Sequence, residues 1–229
     1  MKTQIALDKL RKEVVSCRKC PRLIRHIRTV VVHRPRRYRE WTYWAKPLPS
    51  FGDPHAKLLI IGLAPAAHGG NRTGRMFTGD SSGDWLVKAL YETGFATQPI
   101  SVSKDDGLRL ISTYITAAVR CAPLKNKPTR QEVLNCSEYL AEELILLKEV
   151  KVILTLGRIA FEGYLRHLDT ESKTGLKFRH GLICKPMMRG PLLAVSYHPS
   201  RQNTQTGRLT WRMWIRTFKR ISQILDESA

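Results

Sequence analysis

The chain is short of carboxylates. Its 229 residues hold 19 Asp and Glu against 39 Lys and Arg, a formal net charge of +20. Long apolar runs are also missing. The longest, residues 58–67, is far too short to cross a bilayer, and residues 1–10 have no continuous apolar core of the kind a signal peptide carries. These absences predict a soluble, cytoplasmic protein with no membrane partner. There is no internal repeat and no low-complexity tract. A chain of this length with 42% hydrophobic residues is expected to fold as one α/β domain over 1–229. Only five cysteines are present, and in an intracellular protein they do not read as a disulfide framework.

The positive charge is spread along the chain and thickens twice. Arg22, Arg25, Arg28, Arg34, Arg36, Arg37 and Arg39 crowd one segment; Arg201, Arg208, Arg212, Arg216, Lys219 and Arg220 crowd another. The arginine bias, with Tyr38, Trp41, Tyr43 and Trp44 interleaved, favours a nucleic-acid partner over a merely basic surface.

Leu7, Leu10 and Val14 recur at helical spacing, so the first fifteen residues predict a short helix leading into Cys17. Residues 21–56, rich in Arg, Pro and aromatics with no sustained period, read as one irregular segment. Four apolar segments follow, at 57–61, 114–119, 151–156 and 192–197, with helical stretches between them. That alternation predicts a three-layer α/β/α core over 57–229, built on a central four-stranded, mainly parallel sheet. Residues 1–56 then form an N-terminal helix with a cluster-binding and basic segment. Thr129 and Glu132 make a T-x-x-E capping box for a helix whose inner face carries Val133, Cys136, Leu140, Leu144 and Leu147. The last helix sets Trp211, Trp214, Ile215, Phe218, Ile221 and Leu225 on one side.

Cys17 and Cys20 form a C-x2-C pair, and Cys121 and Cys136 supply two more thiols at a strand end and on the following helix. Four thiolates from two distant segments suit a [4Fe–4S] cluster or, alternatively, Zn2+, and spacing does not separate the two. Cys184 stands alone and fits a small buried hydrophobe.

Three loops collect at the expected carboxyl edge of the sheet: 62–83, 120–129 and 196–209. The first follows an apolar strand, is rich in glycine and nearly free of carboxylates, and ends in the N-cap types Ser81, Ser82 and Asp84. The third carries His198 just past a strand, in polar company.

Taken together, G-L-A-P-A at 62–66, R-M-F-T-G-D at 75–80, A-A-V-R-C-A-P at 117–123, N-K-P-T at 126–129 and H-P-S-R-Q-N at 198–203 resemble the iron–sulfur uracil-DNA glycosylases, specifically the family 5 type. The resemblance runs from about Cys17 to Phe218, with the four cysteines in the family's order. It implies a monofunctional base-excision repair enzyme acting on damaged double- or single-stranded DNA. It further implies a structural [4Fe–4S] cluster on Cys17, Cys20, Cys121 and Cys136. The enzyme is expected as a nucleoid-associated monomer, with a sliding clamp as a candidate partner.

The chemistry asks for a pocket that takes a flipped base and for groups facing the charges of glycosidic cleavage. His198 is expected to stabilise the leaving base and Phe77 to stack on it, with Gly62, Ala64, Ala66 and Ala117 lining the pocket. Leu63 and Ala64 stand where related families carry a carboxylate, and neither can orient water. Asp80 is the expected replacement, with helix capping as its competing role, and Asn126 is a second candidate for positioning water. Arg201, Gln202, Asn203 and Arg208 are expected to contact DNA. Ala117 stands where the type-4 family carries an amide, which predicts relaxed specificity that extends to hypoxanthine. A non-catalytic nucleic-acid-binding module with a zinc or iron–sulfur site stays open as an alternative.

Overall fold

A computed structural model describes residues 2–227. In chain order the helices are α1 (Lys2–Ser16), α2 (Pro21–Val32), α3 (Gly70–Thr73), α4 (Ser81–Glu92), α5 (Arg130–Leu146), α6 (Arg158–Leu165), α7 (Thr170–Lys173), α8 (Arg201–Gln205) and α9 (Trp211–Asp226). The strands are β1 (Phe51–Gly52), β2 (Leu58–Gly62), β3 (Thr113–Ala117), β4 (Val152–Leu156), β5 (Ile183–Cys184) and β6 (Leu192–Ser196), in the order β1-β3-β2-β4-β6-β5. The four predicted strands are the parallel centre, β3-β2-β4-β6, in register from Leu58↔Thr113 to Leu156↔Ser196. Two-residue antiparallel strands at both edges enlarge the sheet from the expected four strands to six. Strands that short carry no readable period.

The central strands read as unbroken apolar runs because both faces are covered. Leu58, Ile60, Ile115 and Leu154 meet α4 and α9 on one face, through Leu86, Leu90, Trp214 and Phe218. Leu59, Ile61, Ile153 and Val195 meet α1, α5 and α6 on the other, through Leu7, Leu140 and Phe161. The capping box of α5 is present as predicted, with Thr129 and Glu132 exchanging hydrogen bonds.

The expectation of an irregular 21–56 is corrected at its start. Pro21 opens α2, which buries Leu23, Ile27 and Val30 and turns its arginines outward. Proline at the first helical position costs no hydrogen bond, and Leu23, Ile27 and Val30 recur at helical spacing with Arg22, Arg25 and Arg28 on the opposite face, a period that the expectation of an irregular segment passed over.

The layers are tied by a buried polar knot. Arg120 and Glu143 are 1% and 2% exposed and pair at 2.7 Å. Thr116 donates to the same Glu143 oxygen at 2.6 Å, Ser50 donates to Thr116 at 2.9 Å, and Arg120 also contacts Ser50. The knot joins the segment before β1, strand β3 and helix α5. Removing one member strands the other charge without water. We expect Glu143→Ala to cost about 3–5 kcal/mol in urea unfolding, whereas Glu13→Ala, on the exposed face of α1, leaves the midpoint nearly unchanged.

Candidate active site

At the carboxyl ends of β2, β3 and β6, a cavity of about 40 Å³ is lined by Ala64, Pro65, Ala66, Met76, Phe77, Asp80, Ser82, Ala117 and His198. That is room for roughly three water molecules. The expected pocket residues Ala64, Ala66, Phe77, Asp80, Ala117 and His198 are thus brought together. Pro65 and Met76, which belong to the motifs at 62–66 and 75–80, and Ser82, expected only as an N-cap type, line it as well.

Phe77 is fixed by an unusual backbone. Its φ is 50°, the left-handed region that costs a bulky residue energy. Two glycines make that conformation possible. A Cβ on Gly62 would fall 2.8 Å from the Phe77 ring, and one on Gly83 would fall 2.3 Å from the Phe77 carbonyl oxygen. Gly62 therefore acts beneath the aromatic ring. The ring faces His198, with centroids 5.9 Å apart and planes 28° apart.

His198 leaves β6 in a braced loop. Asn203 donates from Nδ2 to the His198 carbonyl at 2.8 Å, and Gly157, at φ +92°, lets the His198 Cβ approach to 3.3 Å of where a Cβ would stand. Burial pushes the imidazole down to about 4, so His198 is neutral near pH 7 and can donate from one nitrogen.

Asp80 serves the helix and the cavity with different atoms. Its Oδ1 accepts from the backbone N–H groups of Ser82 at 2.9 Å and Gly83 at 3.0 Å, which makes it the N-cap of α4. Oδ2 makes neither bond and lies where a Gly69 Cβ would be, 1.8 Å from that atom's position. Desolvation raises the Asp80 carboxyl, partly offset by the two backbone hydrogen bonds and by the Arg72 charge.

The other expected site residues lie elsewhere. Asn126 sits exposed on the turn Leu124–Asn126 with φ 56° and does not line the cavity. Arg201 and Gln202 are exposed at the start of α8, where Arg201 Nε donates to Ser81 Oγ at 3.3 Å. Asn203 is occupied as the strut of His198. The Arg208 guanidinium lies 4.7 Å from the centre of the Tyr197 ring.

Sequence reasoning missed Arg72. It is 5% exposed and held by two aromatic faces, Trp41 at 4.0 Å and Tyr38 at 4.3 Å. It donates to the carbonyls of His68 at 2.8 Å and Gly79 at 2.9 Å. The basic segment around residues 34–44 is thereby locked to the loop that carries Asp80. No local pattern marks an arginine for such a place.

Cys20, Cys121 and Cys136 are buried in one cluster with Leu23, Ile27 and Val119, while half-buried Cys17 packs beside Val14 and Tyr139. Burial, and then the charges of Cys136, Cys17 and Cys20, push the Cys121 thiol up. All four thiols therefore lie within electrostatic reach of one another. Among the described residues, no group of three His, Cys, Asp or Glu side chains is arranged to hold a metal ion.

Residues 49–222 match the family model of the Uracil DNA glycosylase superfamily. The chain is 52% identical over 202 residues to a type-5 uracil-DNA glycosylase of Thermus thermophilus, covering 88% of this chain and 90% of that one. It is 47% identical over 204 residues to the type-5 enzyme of Pyrobaculum aerophilum, covering 89% and 86%. The chain belongs to the type-5 uracil-DNA glycosylase family. A type-4 enzyme of Sulfurisphaera tokodaii is more distant, 28% identical over 197 residues, covering 85% of this chain and 74% of that one. The matched region holds every residue that lines the cavity.

Gly83→Ala should lower stability by about 1–3 kcal/mol, read as a lower urea midpoint, because the new methyl displaces the Phe77 carbonyl. Stability should also fall as pH drops from about 6.5 toward about 4, since the unfolded histidine takes a proton that folded His198 refuses. His198→Gln should flatten that part of the profile.

Proposed function

We propose that this protein hydrolyses the N-glycosidic bond of uracil in DNA, extruding the base into the Phe77–His198 slot. The observation that carries the reading is the convergence of a left-handed Phe77, a neutral His198 and a desolvated Asp80 at the carboxyl edge of one sheet. Nucleic-acid binding alone asks for none of these, which is why the non-catalytic alternative is set aside.

Breaking the bond leaves electrons on the base and positive charge on the sugar. The slot fits that division. Phe77 offers its face to the flipped ring, and the imidazole N–H of His198 donates to a base oxygen as negative charge develops there. Asp80 Oδ2 orients the incoming water or faces the cationic sugar, while Oδ1 keeps the carboxylate in place. Asn126 is too exposed in the free protein to share that role unless DNA carries the 120–129 loop inward.

Specificity follows from what the slot lacks. Thr116 spends its hydroxyl on Glu143, on the far side of β3, and Ala117 presents only a methyl group. With no side-chain amide from β3 to read the base edge, a wrong base leaves few groups unpaired. The substrate range therefore extends to hypoxanthine and other deaminated bases.

The four cysteines would hold a [4Fe–4S] cluster or, alternatively, Zn2+, and the burial of Cys20, Cys121 and Cys136 beside Cys17 supports one shared centre. Cys17 and Cys20 would bind it from the α1–α2 junction, with Cys121 from the end of β3 and Cys136 from α5. Its contribution is a cross-link between these elements. The basic surface supports a reading in which the enzyme works at the nucleoid, as a monomer with a sliding clamp as a candidate partner.

A uracil-containing oligonucleotide, treated with alkali after incubation, tests the reaction; intact strands would refute it. Asp80→Asn keeps an oxygen for the helix cap and removes the charge. It should preserve the melting temperature yet slow single-turnover cleavage by at least about tenfold, with His198→Ala slower by about 10²–10³. The wild-type rate should show no step near the ordinary histidine pKa of about 6.5. Protein purified without oxygen should absorb broadly in the visible and bleach on reduction; colourless protein with stoichiometric zinc would overturn the cluster.

A further inference from the structure

We infer that the cleft between β5 and α9 is a second DNA subsite, one that holds the phosphodiester backbone of the strand beside the extruded nucleotide. The inference rests on DNA being the substrate and assigns a surface that the pocket itself does not include. The cleft encloses about 260 Å³, and its polar lining comes from His180, Thr217, Arg216 and Arg220.

Topology sets its His180 end at the carboxyl edge of the sheet. β5 runs antiparallel to β6, so the residues just before β5 lie beside the carboxyl end of β6. Gly181 donates to the Val195 carbonyl at 2.8 Å and Val195 donates to the Leu182 carbonyl at 2.9 Å, which carries His180 up to Tyr197, the neighbour of His198. The His180 ring lies flat on the Tyr197 ring, 5.0 Å between centroids and 11° between planes. Tyr197 in turn receives the Arg208 guanidinium at 4.7 Å. A band of Arg208, Tyr197 and His180 therefore leads from the base slot into the cleft.

The groups in the cleft are suited to phosphate. The Tyr197 backbone N–H donates to His180 Nδ1 at 3.2 Å, which assigns the proton of the neutral ring to Nε2 and leaves that nitrogen as a donor. Burial lowers the His180 pKa, which favours the neutral ring. Arg216 and Arg220 are exposed, stand one helical turn apart, and are not ion-paired among the described residues. Four residues of helix rise about 6 Å, comparable to the step between successive phosphates on one strand. In a chain with two basic residues for each acidic one, unpaired arginines are common. Two at that spacing, in a concavity with a fixed imidazole donor next to the base slot, form a track for a polyanion.

The test is the salt dependence of binding to a labelled undamaged DNA duplex, for Arg216→Gln/Arg220→Gln against the wild type. A control, Arg166→Gln/Lys173→Gln, removes the same charge from exposed positions just after α6 and at the end of α7. Losing two phosphate contacts should reduce the slope of log affinity against log salt by about 2 and weaken binding at least about tenfold at moderate salt. The control should change the slope much less. Single-turnover uracil cleavage at saturating enzyme should stay within about twofold of wild type. Equal slopes for the two double variants would overturn the subsite, as would a slope change confined to duplex RNA. Loss of cleavage at saturation would place the arginines in the chemistry instead and overturn it too. The binding arm needs no turnover, so a wild-type protein that binds through the cleft but leaves uracil intact would refute the glycosylase reading alone.

Discussion

The buried pair of Arg120 and Glu143 is the constraint on which the rest of the structure depends. It removes two full charges from water, and the geometry answers for most of both: the carboxylate receives Arg120 and Thr116, and the guanidinium reaches Glu143 and Ser50, with its Nε left without a hydrogen-bond partner among the described residues. Such a pair adds little net stability compared with an apolar core, but it tolerates few alternative arrangements. Arg120 also accepts the Leu48 N–H at its carbonyl, at 2.7 Å, and is followed at once by Cys121. A single knot thus fixes the end of β3, the entry to β1 and the helix carrying Cys136. Those are the elements that would enclose the thiols on one side and the base slot on the other.

Scarce carboxylates are used in the same way elsewhere. Asp106 accepts Arg75 through both oxygens at 2.7 Å, both side chains 7% exposed, which fastens the 101–108 loop to the residues just before Phe77. Glu132 caps α5 and also takes a two-pronged bond from Arg22, joining α2 to the helix of Cys136. Asp80 caps α4 from inside the cavity. Each of these acids holds an arginine or a helix end against the loops of the site. The surplus of positive charge is left on the surface, where a polyanion can meet it.

How much of this was legible in the sequence depends on the range of the interaction. The four central strands and the capping box of α5 rest on local patterns, and the strands were found to within a residue or two. Helix α2 was legible in the spacing of Leu23, Ile27 and Val30 against Arg22, Arg25 and Arg28, but the prolines and aromatics of 34–56 led the whole segment to be read as irregular. The edge strands were hidden because two residues carry no period. In the site, Phe77, Asp80 and His198 stood out by motif, and they do converge. The reason Phe77 can converge is not local: Gly62 and Gly83, from the preceding strand and the following helix, leave room for its positive φ. Arg72 was invisible for the same reason, since Tyr38, Trp41 and Gly79 reach it from two separate segments.

The neutrality of His198 completes the electrostatic logic. In a protein of net charge +20, a cationic imidazole at the bottom of the slot would attract any phosphate and bind ground state and transition state alike, which does not accelerate the chemistry. Among the described residues, no carboxylate pairs with His198 to stabilise its charged form. Burial alone lowers its pKa, and Phe77 covers one face of the ring. In the proposed reaction this neutral donor would strengthen its bond to a base oxygen only as that oxygen gains charge. Long-range attraction would then fall to the surface arginines, so that binding and bond cleavage would be served by different groups.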